Sequence, residues 1–587
     1  MGAISNAAKL SEAVLMIGPV GGLDRRPGRT GRGDEPSPGA RLTRLDGTIF
    51  VAGFMLYVGM ALELRRLDLY IGDAVSRTAQ AFAVLFARDP HLAAIGFAWN
   101  PLPILVQVPV VAVLRVLHLD VVVAGNLLSA SCGAATLVVL NVTMRRAGLP
   151  GRLRWLLIAL FGLNPMILLY SANGMSEALF ILLIVVTVTS FVWWTETRTP
   201  APFMTMTIAS ILATQTRYEA VMLTASIAVC LVISCMPLAT SGSVPVMAQR
   251  IESYLIVYGV GPAYAFGSWV FFNWTIEGDP LYFVHSVYGN AAQTAQIRAG
   301  AATYLHGAVH SIPGALLFGL ERSLWLFPFA AAIMLAAALA ARAHRDVALM
   351  CTLLIAVALP VFEAAMIDQG ESFGWLRFFI YSIPFSYLLL IGVYKTAPGL
   401  FRGRRGWASW TVILLSLLAS NMASWTAMAT PAVGREEHYI TCKVFHPRCP
   451  SSVSGKAYAL QGVREVSAYV ERLPSPGTVL LDAYQGFAIP LVSAHPTRYV
   501  VTSDRDFAYS ALHPSATVRY VLVPAPKGLG RSDRINRQYP SLWPHGASWA
   551  HLVREFGDTQ DDWKLYEVVV APRRHAAEHI VRCATCR

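Results

Sequence analysis

Charge is what this chain has least of. Only 14% of its 587 residues are Asp, Glu, Lys or Arg, whereas 55% are hydrophobic, and the mean hydropathy is +0.49. Soluble globular proteins carry about 25% charged residues, so this shortage excludes a chain whose whole surface faces water. Internal repeats are also missing. Many secondary transporters are built from them, with ionisable residues at the bilayer midplane, so that class ranks behind others. The net charge is +12, yet no nucleic-acid-binding motif accompanies it, and no nucleic-acid partner is expected. The basic residues instead gather in loops beside apolar runs, where they set orientation in a membrane. A cleavable signal is lacking as well, because charged residues separate the apolar stretch 13–20 from the first long apolar run.

What is present is a series of apolar runs of spanning length, roughly 20 residues each. Eleven spans are expected, near 48–64, 121–142, 155–172, 176–194, 201–216, 219–236, 251–272, 323–341, 347–366, 378–394 and 408–428. Basic loops belong in the cytoplasm. The clearest are Arg145 and Arg146 with Arg152 and Arg154, then Arg342 with Arg345, then Lys395 with Arg402, Arg404 and Arg405. Eleven spans put all three on the side of the N-terminus, provided that the Pro-rich apolar stretch 101–118 lies at the outer surface instead of spanning. The expected fold is therefore a polytopic α-helical membrane protein with about 11 transmembrane helices. Residues 1–46 are a Pro/Gly-rich, disordered cytoplasmic tail. Residues 47–428 are the membrane domain, with a first outer loop at 65–120. Residues 429–587 are an extracytoplasmic α/β domain. In that last part a helix is expected at 457–472 and strands at Val479-Leu480-Leu481, Tyr499-Val500-Val501 and Tyr520-Val521-Leu522-Val523. The location is the cell's inner (plasma) membrane.

The eight cysteines divide by place. Cys132, Cys230, Cys235 and Cys351 lie in apolar runs, where they act as small apolar residues. Cys442, Cys449, Cys583 and Cys586 lie in the outer domain, where an even set suggests disulfides that fasten its two ends.

The chemistry-bearing residues sit at the ends of apolar runs. Gly72-Asp73-Ala74 follows the first run, with Arg77 four residues after the acid. Arg88-Asp89-Pro90-His91 and Trp99-Asn100-Pro101-Leu102-Pro103 follow in the same loop. Asn173-Gly174-Met175-Ser176-Glu177 sits at the outer end of the third span. Thr216-Arg217-Tyr218-Glu219 fills the break between the fifth and sixth, and Trp375-Leu376-Arg377 with Tyr381 and Pro384 enters the tenth. Charges in such places are costly in lipid and should face a cavity.

The ordered set resembles the GT-C superfamily of membrane glycosyltransferases. Nearest in layout are the protein O-mannosyltransferases and the aminoarabinose transferases of lipid A. Asp73-Ala74 is similar to the acid-Ala pair that opens the first outer loop in those families. Asn100-Pro101-Leu102-Pro103 loosely matches their Lys-Pro-Pro-Leu motif; the lysine is absent, with Trp99 or Asn100 in its place. Arg377, Tyr381 and Pro384 resemble their Arg-Tyr-Pro-type donor motif.

The resemblance implies transfer of a sugar from a polyprenyl-phosphate donor, with inversion, to a hydroxyl on a glycan, glycolipid or protein. It makes Asp73 the catalytic base, with Asp89 as second candidate. Arg77, Arg88, Arg217 and Arg377 bind the donor phosphate, since a planar fork holds two oxygens. His91, Asn100, Glu177, Glu219 and Tyr381 contact acceptor or sugar. No cofactor is certain. A divalent cation, Mg or Mn, is a possibility at Asp89 and His91, although two ligands are too few to argue for one. A multi-span transporter and a non-catalytic envelope-assembly protein are the competing readings.

Overall fold

A computed structural model describes residues 42–236, 244–299, 305, 307–445, 449–450, 458–474, 478–557 and 562–569. The expected tail falls almost wholly outside the described residues, and Cys583 and Cys586 lie outside them too. The chain forms two compact units. One comprises residues up to Ala81 together with Ile95–Ala459; the other comprises Phe82–Ala94 and the chain from Leu460 onward. The boundary expected at 429 thus lies about a helix later. Val433 and Ile440 join the apolar core of the helical unit, because the apolar face of the helix Arg435–Phe445 has that core to pack on.

Among the described residues of the helical unit, seven helices are long and apolar enough to cross a membrane: Arg44–Arg66, Val121–Arg146, Glu177–Thr197, Pro245–Glu277, Val347–Asp368, Leu376–Thr396 and Gly406–Ala429. Their outward faces are apolar, with Val51, Met55, Leu62, Phe271, Val357 and Leu415 exposed, as a multi-pass membrane protein requires. The other expected spans are shorter or broken. Pro200–Thr214 and Ala220–Cys235 have 15 and 16 residues. The run expected as one span at 155–172 is two helices, Gly151–Gly162 and Pro165–Tyr170. Asn164 divides them: its side chain accepts from the Met166 and Ile167 amides and donates to Asn421 and Ser424. The run at 323–341 is also broken. Ile312–Leu326 and Ala330–His344 meet at 99°. Pro328, between them, has no N–H to continue the first helix. The stretch read as a surface helix is the helix Leu102–Val116, and its Ile104, Gln107 and Val111 are fully buried.

Local signals explain where the first helix starts. Thr43 and Asp46 form a reciprocal capping box at the N-terminus of Arg44–Arg66. Asp46 is buried and also accepts from Asn141 Nδ2 at 2.7 Å and Arg145 Nη1 at 2.9 Å. Gly53 faces the helix Ala124–Arg146 so closely that a Cβ there would lie 2.7 Å from Leu137 Cδ1. Small residues permit such close backbone approach between apolar helices.

The second unit is an α/β sheet of five strands in the order β2-β1-β3-β5-β4. β1 (Val479–Leu481), β2 (Tyr499–Val501) and β3 (Tyr520–Pro524) are parallel; β4 (Ala550–Phe556) and β5 (Trp563–Val568) close the sheet antiparallel. The three parallel strands are the expected ones. Both their faces are covered: Val479 and Leu481 pack with Val466 and Val470 of the helix Gln461–Glu471, while Leu480 faces Phe507 and Ile535 on the other side.

A candidate active site of arginines and carboxylates

Asp73 lies in the first turn of the helix Gly72–Phe86, and Arg77 follows on the same face. The Arg77 guanidinium is buried over the Trp99 ring, 4.4 Å from its centroid. Its Nη1 donates to the Asp73 backbone carbonyl at 3.5 Å and approaches Met175 Sδ at 3.7 Å. Among the described residues no carboxylate oxygen lies within 4.0 Å of Arg77. Burial pulls its pKa below the ordinary arginine value; Asp73 and Glu177 oppose this, and Arg217 and Arg377 add to it.

Arg377 is presented by the turn Leu376–Phe379. Its Nη2 donates to Asp73 Oδ2 at 2.9 Å, its Nη1 lies 3.4 Å from Glu436 Oε2, and its Nε lies 3.8 Å from Glu177 Oε1. The rings of Trp375 and Phe378 flank it, at 4.7 Å and 5.2 Å. Met175 Sδ is 3.9 Å from its Nη1, so the thioether touches both guanidiniums. Asp73 keeps 36% of its side chain exposed. Burial acts to raise its pKa, but Arg377 and Arg77 outweigh that and hold it below the ordinary aspartate value.

Glu177 reaches this cluster because of one glycine. Gly174 has φ +82°, and a Cβ there would lie 3.1 Å from the carbonyl carbon of Gly125. Only glycine meets both demands. The turn it permits seats Glu177 at the N-terminus of the helix Glu177–Thr197. Glu177 Oε1 accepts from Arg217 Nη1 at 2.7 Å, while Glu219 Oε1 accepts from Arg217 Nη2 at 2.7 Å and from Nε at 3.0 Å. The fork of Arg217, expected on the donor phosphate, is thus filled by two carboxylates. Among the described residues the buried Tyr381 hydroxyl finds no hydrogen-bond partner, and its ring meets Phe180 edge-on. Asn100 donates to the Thr214 carbonyl at 2.8 Å, which ties two helix ends together.

Two acids that the sequence reading missed complete the cluster. Glu436 and Glu437 open the helix Arg435–Phe445. Glu436 faces Arg377, and burial pushes its carboxyl up to about 8, with Arg377 opposing and Asp73, Glu437 and Glu177 adding. Glu437 is fully buried, and Tyr170 Oη donates to its Oε1 at 2.6 Å. Burial raises Glu437 as well, against the pull of that hydroxyl. The available signal was their place: two adjacent acids directly after the last apolar run.

The remaining candidates belong to the second unit. Arg88 pairs with Asp504, Nε to Oδ2 at 3.0 Å, and with Asp506. Asp89 Oδ2 accepts from the Arg505 amide at 3.1 Å, and His91 Nδ1 faces the Asp89 carbonyl at 2.7 Å. Within that unit Asp504 and Asp506 engage Arg88, Arg505 engages Asp89, and His91 faces Asp89. Among the described residues no group of three or more His, Cys, Asp or Glu side chains is placed to hold a metal ion. Cys442 and Cys449 are disulfide-bonded. This bond is local to one end of a helix and does not join the two ends of the outer domain.

Comparison of the sequence with protein-family profiles finds no match, and comparison with curated proteins finds none. Solved structures are similar in fold. ArnT from Cupriavidus metallidurans, bound to undecaprenyl phosphate, is 13% identical with a TM-score of 0.49, over 91% of this chain and 100% of that one. The AglB oligosaccharyltransferase from Archaeoglobus fulgidus, in complex with an inhibitory peptide and a dolichol-phosphate, is 12% identical with a TM-score of 0.42, over 82% and 69%.

Chemically, the cluster offers a buried guanidinium without a carboxylate partner. Beside it are an ionised carboxylate that reaches the surface and a second guanidinium shared among acids. Such a set can receive an anion and take a proton next to it.

Proposed function

We propose that this chain is an inverting glycosyltransferase of the GT-C type. It moves a sugar from a polyprenyl-phosphate donor to an acceptor hydroxyl at the outer face of the membrane, on a glycan, glycolipid or protein. The observation that carries this reading is Arg77: buried, over Trp99, next to the Asp73–Arg377 pair and without a carboxylate of its own. A buried charge is costly unless paired, and an anionic ligand would supply the pair.

In this reading Arg77 and Arg377 each hold phosphate oxygens of the donor. The acceptor oxygen attacks the anomeric carbon from the side opposite the phosphate. The bond between that carbon and the phosphate oxygen breaks, and polyprenyl phosphate leaves with the electron pair. The acceptor proton passes to Asp73. The guanidiniums stabilise charge where it develops on the leaving oxygen, and base assistance of this kind contributes roughly 10²–10⁴-fold. Arg217, with Glu177 and Glu219, fixes the frame that holds Arg377.

The test separates the two roles. In proteoliposomes supplied with polyprenyl-phosphate sugar, Asp73→Asn should lower transfer by at least about 10²-fold while donor still binds. Arg377→Ala should weaken donor binding itself. Near-normal turnover by Asp73→Asn would remove Asp73 from the proton transfer.

A further inference from the structure

The site described above is too acidic for the ligand assigned to it. Its linked charged groups include the carboxylates of Asp73, Glu177, Glu219, Glu436 and Glu437 and the guanidiniums of Arg77, Arg217 and Arg377. With all of these ionised the five acids outnumber the three arginines, a sum of −2 before any phosphate arrives, and the buried Glu363 beside Arg217 and Arg377 can only add to the excess. Like charges in a buried cluster oppose one another's ionisation, and a phosphate adds one more. Some of the acids must therefore hold protons in the donor-bound state.

Geometry identifies the one that faces the ligand. Asp73, Glu177 and Glu219 each accept at least one arginine N–H within 2.9 Å. Glu436 has only the longer approach of Arg377, 3.4 Å, and its Oε2 is buried without a hydrogen-bond partner. Among the described residues Glu177 and Glu437 also have an unpartnered Oε2, but both residues are fully enclosed, and their other oxygens take the Arg217 guanidinium and the Tyr170 hydroxyl. Glu436 keeps 24% of its side chain exposed and shares Arg377 with Asp73. A buried carboxylate oxygen with no donor is costly. A carboxylic acid at the same place needs an acceptor, and a phosphate oxygen held by Arg377 is one.

We propose that Glu436 enters the reaction cycle as the neutral acid and donates its hydrogen bond to the phosphate of the donor, so that donor binding is linked to a bound proton. This rests on the reading of the cluster as a phosphate site. The groups that face Glu436 are Arg377 from the turn 376–379, Asp73 from the helix 72–86, Glu177 from the helix 177–197, Tyr170 from the helix 165–170 and Glu437 on its own helix. Burial and the three acids push the Glu436 carboxyl up to about 8, against Arg377. The sign follows. Below that pH the proton is present and the phosphate is accepted; above it Glu436 ionises, and its charge opposes the phosphate. Asp73, held low by the arginines, stays ionised throughout.

The test uses the full chain in lipid nanodiscs and a polyprenyl methyl phosphodiester, whose single charge does not change over the range used. Glu436→Gln imitates the protonated acid. Wild-type affinity should fall by at least about tenfold between about pH 7 and about pH 9.5, because one proton is lost. Glu436→Gln should show no such fall and should bind more tightly than the wild type at the higher pH. That gain cannot arise from damage to the fold. Glu437→Gln should keep the alkaline loss. A Glu436→Gln protein with the wild-type pH profile, or a flat profile in Glu437→Gln instead, would overturn the proposal. A pH-independent wild type would do the same. A wild type that does not bind the phosphodiester even at about pH 7 would overturn the phosphate site itself, and this proposal with it.

Discussion

Arg77 is the residue whose presence is hardest to explain by stability. It is buried, its strongest acceptors are a backbone carbonyl and a thioether, and no described carboxylate pairs with it. An isolated buried charge destabilises, so a neutral side chain of similar reach should stabilise the empty protein. Arg77→Met is expected to leave the melting temperature of the ligand-free protein equal or higher. Affinity for polyprenyl phosphate should fall about 10- to 10²-fold, the worth of one charged hydrogen bond. A binding assay and a thermal scan on the same preparation check both halves; a large loss of stability would make Arg77 structural. At this scale much was legible. Asp73, Arg77, Glu177, Arg217, Glu219, Arg377 and Tyr381 stand at the ends of apolar runs, where a charge is out of place, and the structure brings them together. Arg88 and Asp89 carry similar chemistry, but their partners Asp504, Arg505 and Asp506 are more than four hundred residues away in sequence. No local pattern announces such a pairing.

At the scale of elements, two short segments decide whether the site forms. One is the turn at Gly174. Gly174→Ala adds a methyl group where φ is +82° and the Gly125 backbone is 3.1 Å away. It should cost about 1–3 kcal/mol and displace Glu177, measurable as a lower melting temperature with weakened donor binding. The other is the helix Arg435–Phe445, which carries Glu436 and Glu437 and ends in the Cys442–Cys449 bond. The two cysteines are 7 residues apart, and closing so short a loop contributes about 2–3 kcal/mol. The double variant Cys442→Ser, Cys449→Ser should be less stable by about that amount and should bind donor more weakly, since Glu436 rides on the helix. Peptide mapping without reductant should show Cys442 joined to Cys449. This helix escaped the sequence reading because a change from apolar to polar composition at 429 looked like a domain boundary. Composition reports where lipid contact stops, whereas Val433 and Ile440 show that packing against the helical core continues. The breaks at Asn164 and Pro328 were similarly hidden, since an apolar run reads alike whether its helix is straight or bent.

For the molecule as a whole, the alternation of apolar runs and basic loops carried the class of fold, and the three parallel strands were readable from β-branched and aromatic runs bounded by turns. β4 and β5 were not, because β4 is exposed along most of its length, Leu552 and Val553 included, and so shows no alternation of apolar and polar residues. Orientation is expected from loop charge: position 403 inside, the exposed position 461 outside. Single cysteines at those positions should label from opposite sides of the membrane, and labelling of both from one side would refute the arrangement. The pairing of Asp46 bears on how such a chain is made. Asp46 is buried at the start of the first spanning helix, and the arginine that neutralises it comes 99 residues later, at the end of the second. A ribosome delivers the acid long before its partner. Until Arg145 and Asn141 arrive, the N-terminal end of the first helix holds a carboxylate without a cation, which the bilayer disfavours. The first helix therefore cannot take its final depth when it enters the membrane, and it settles only when the second has followed it in.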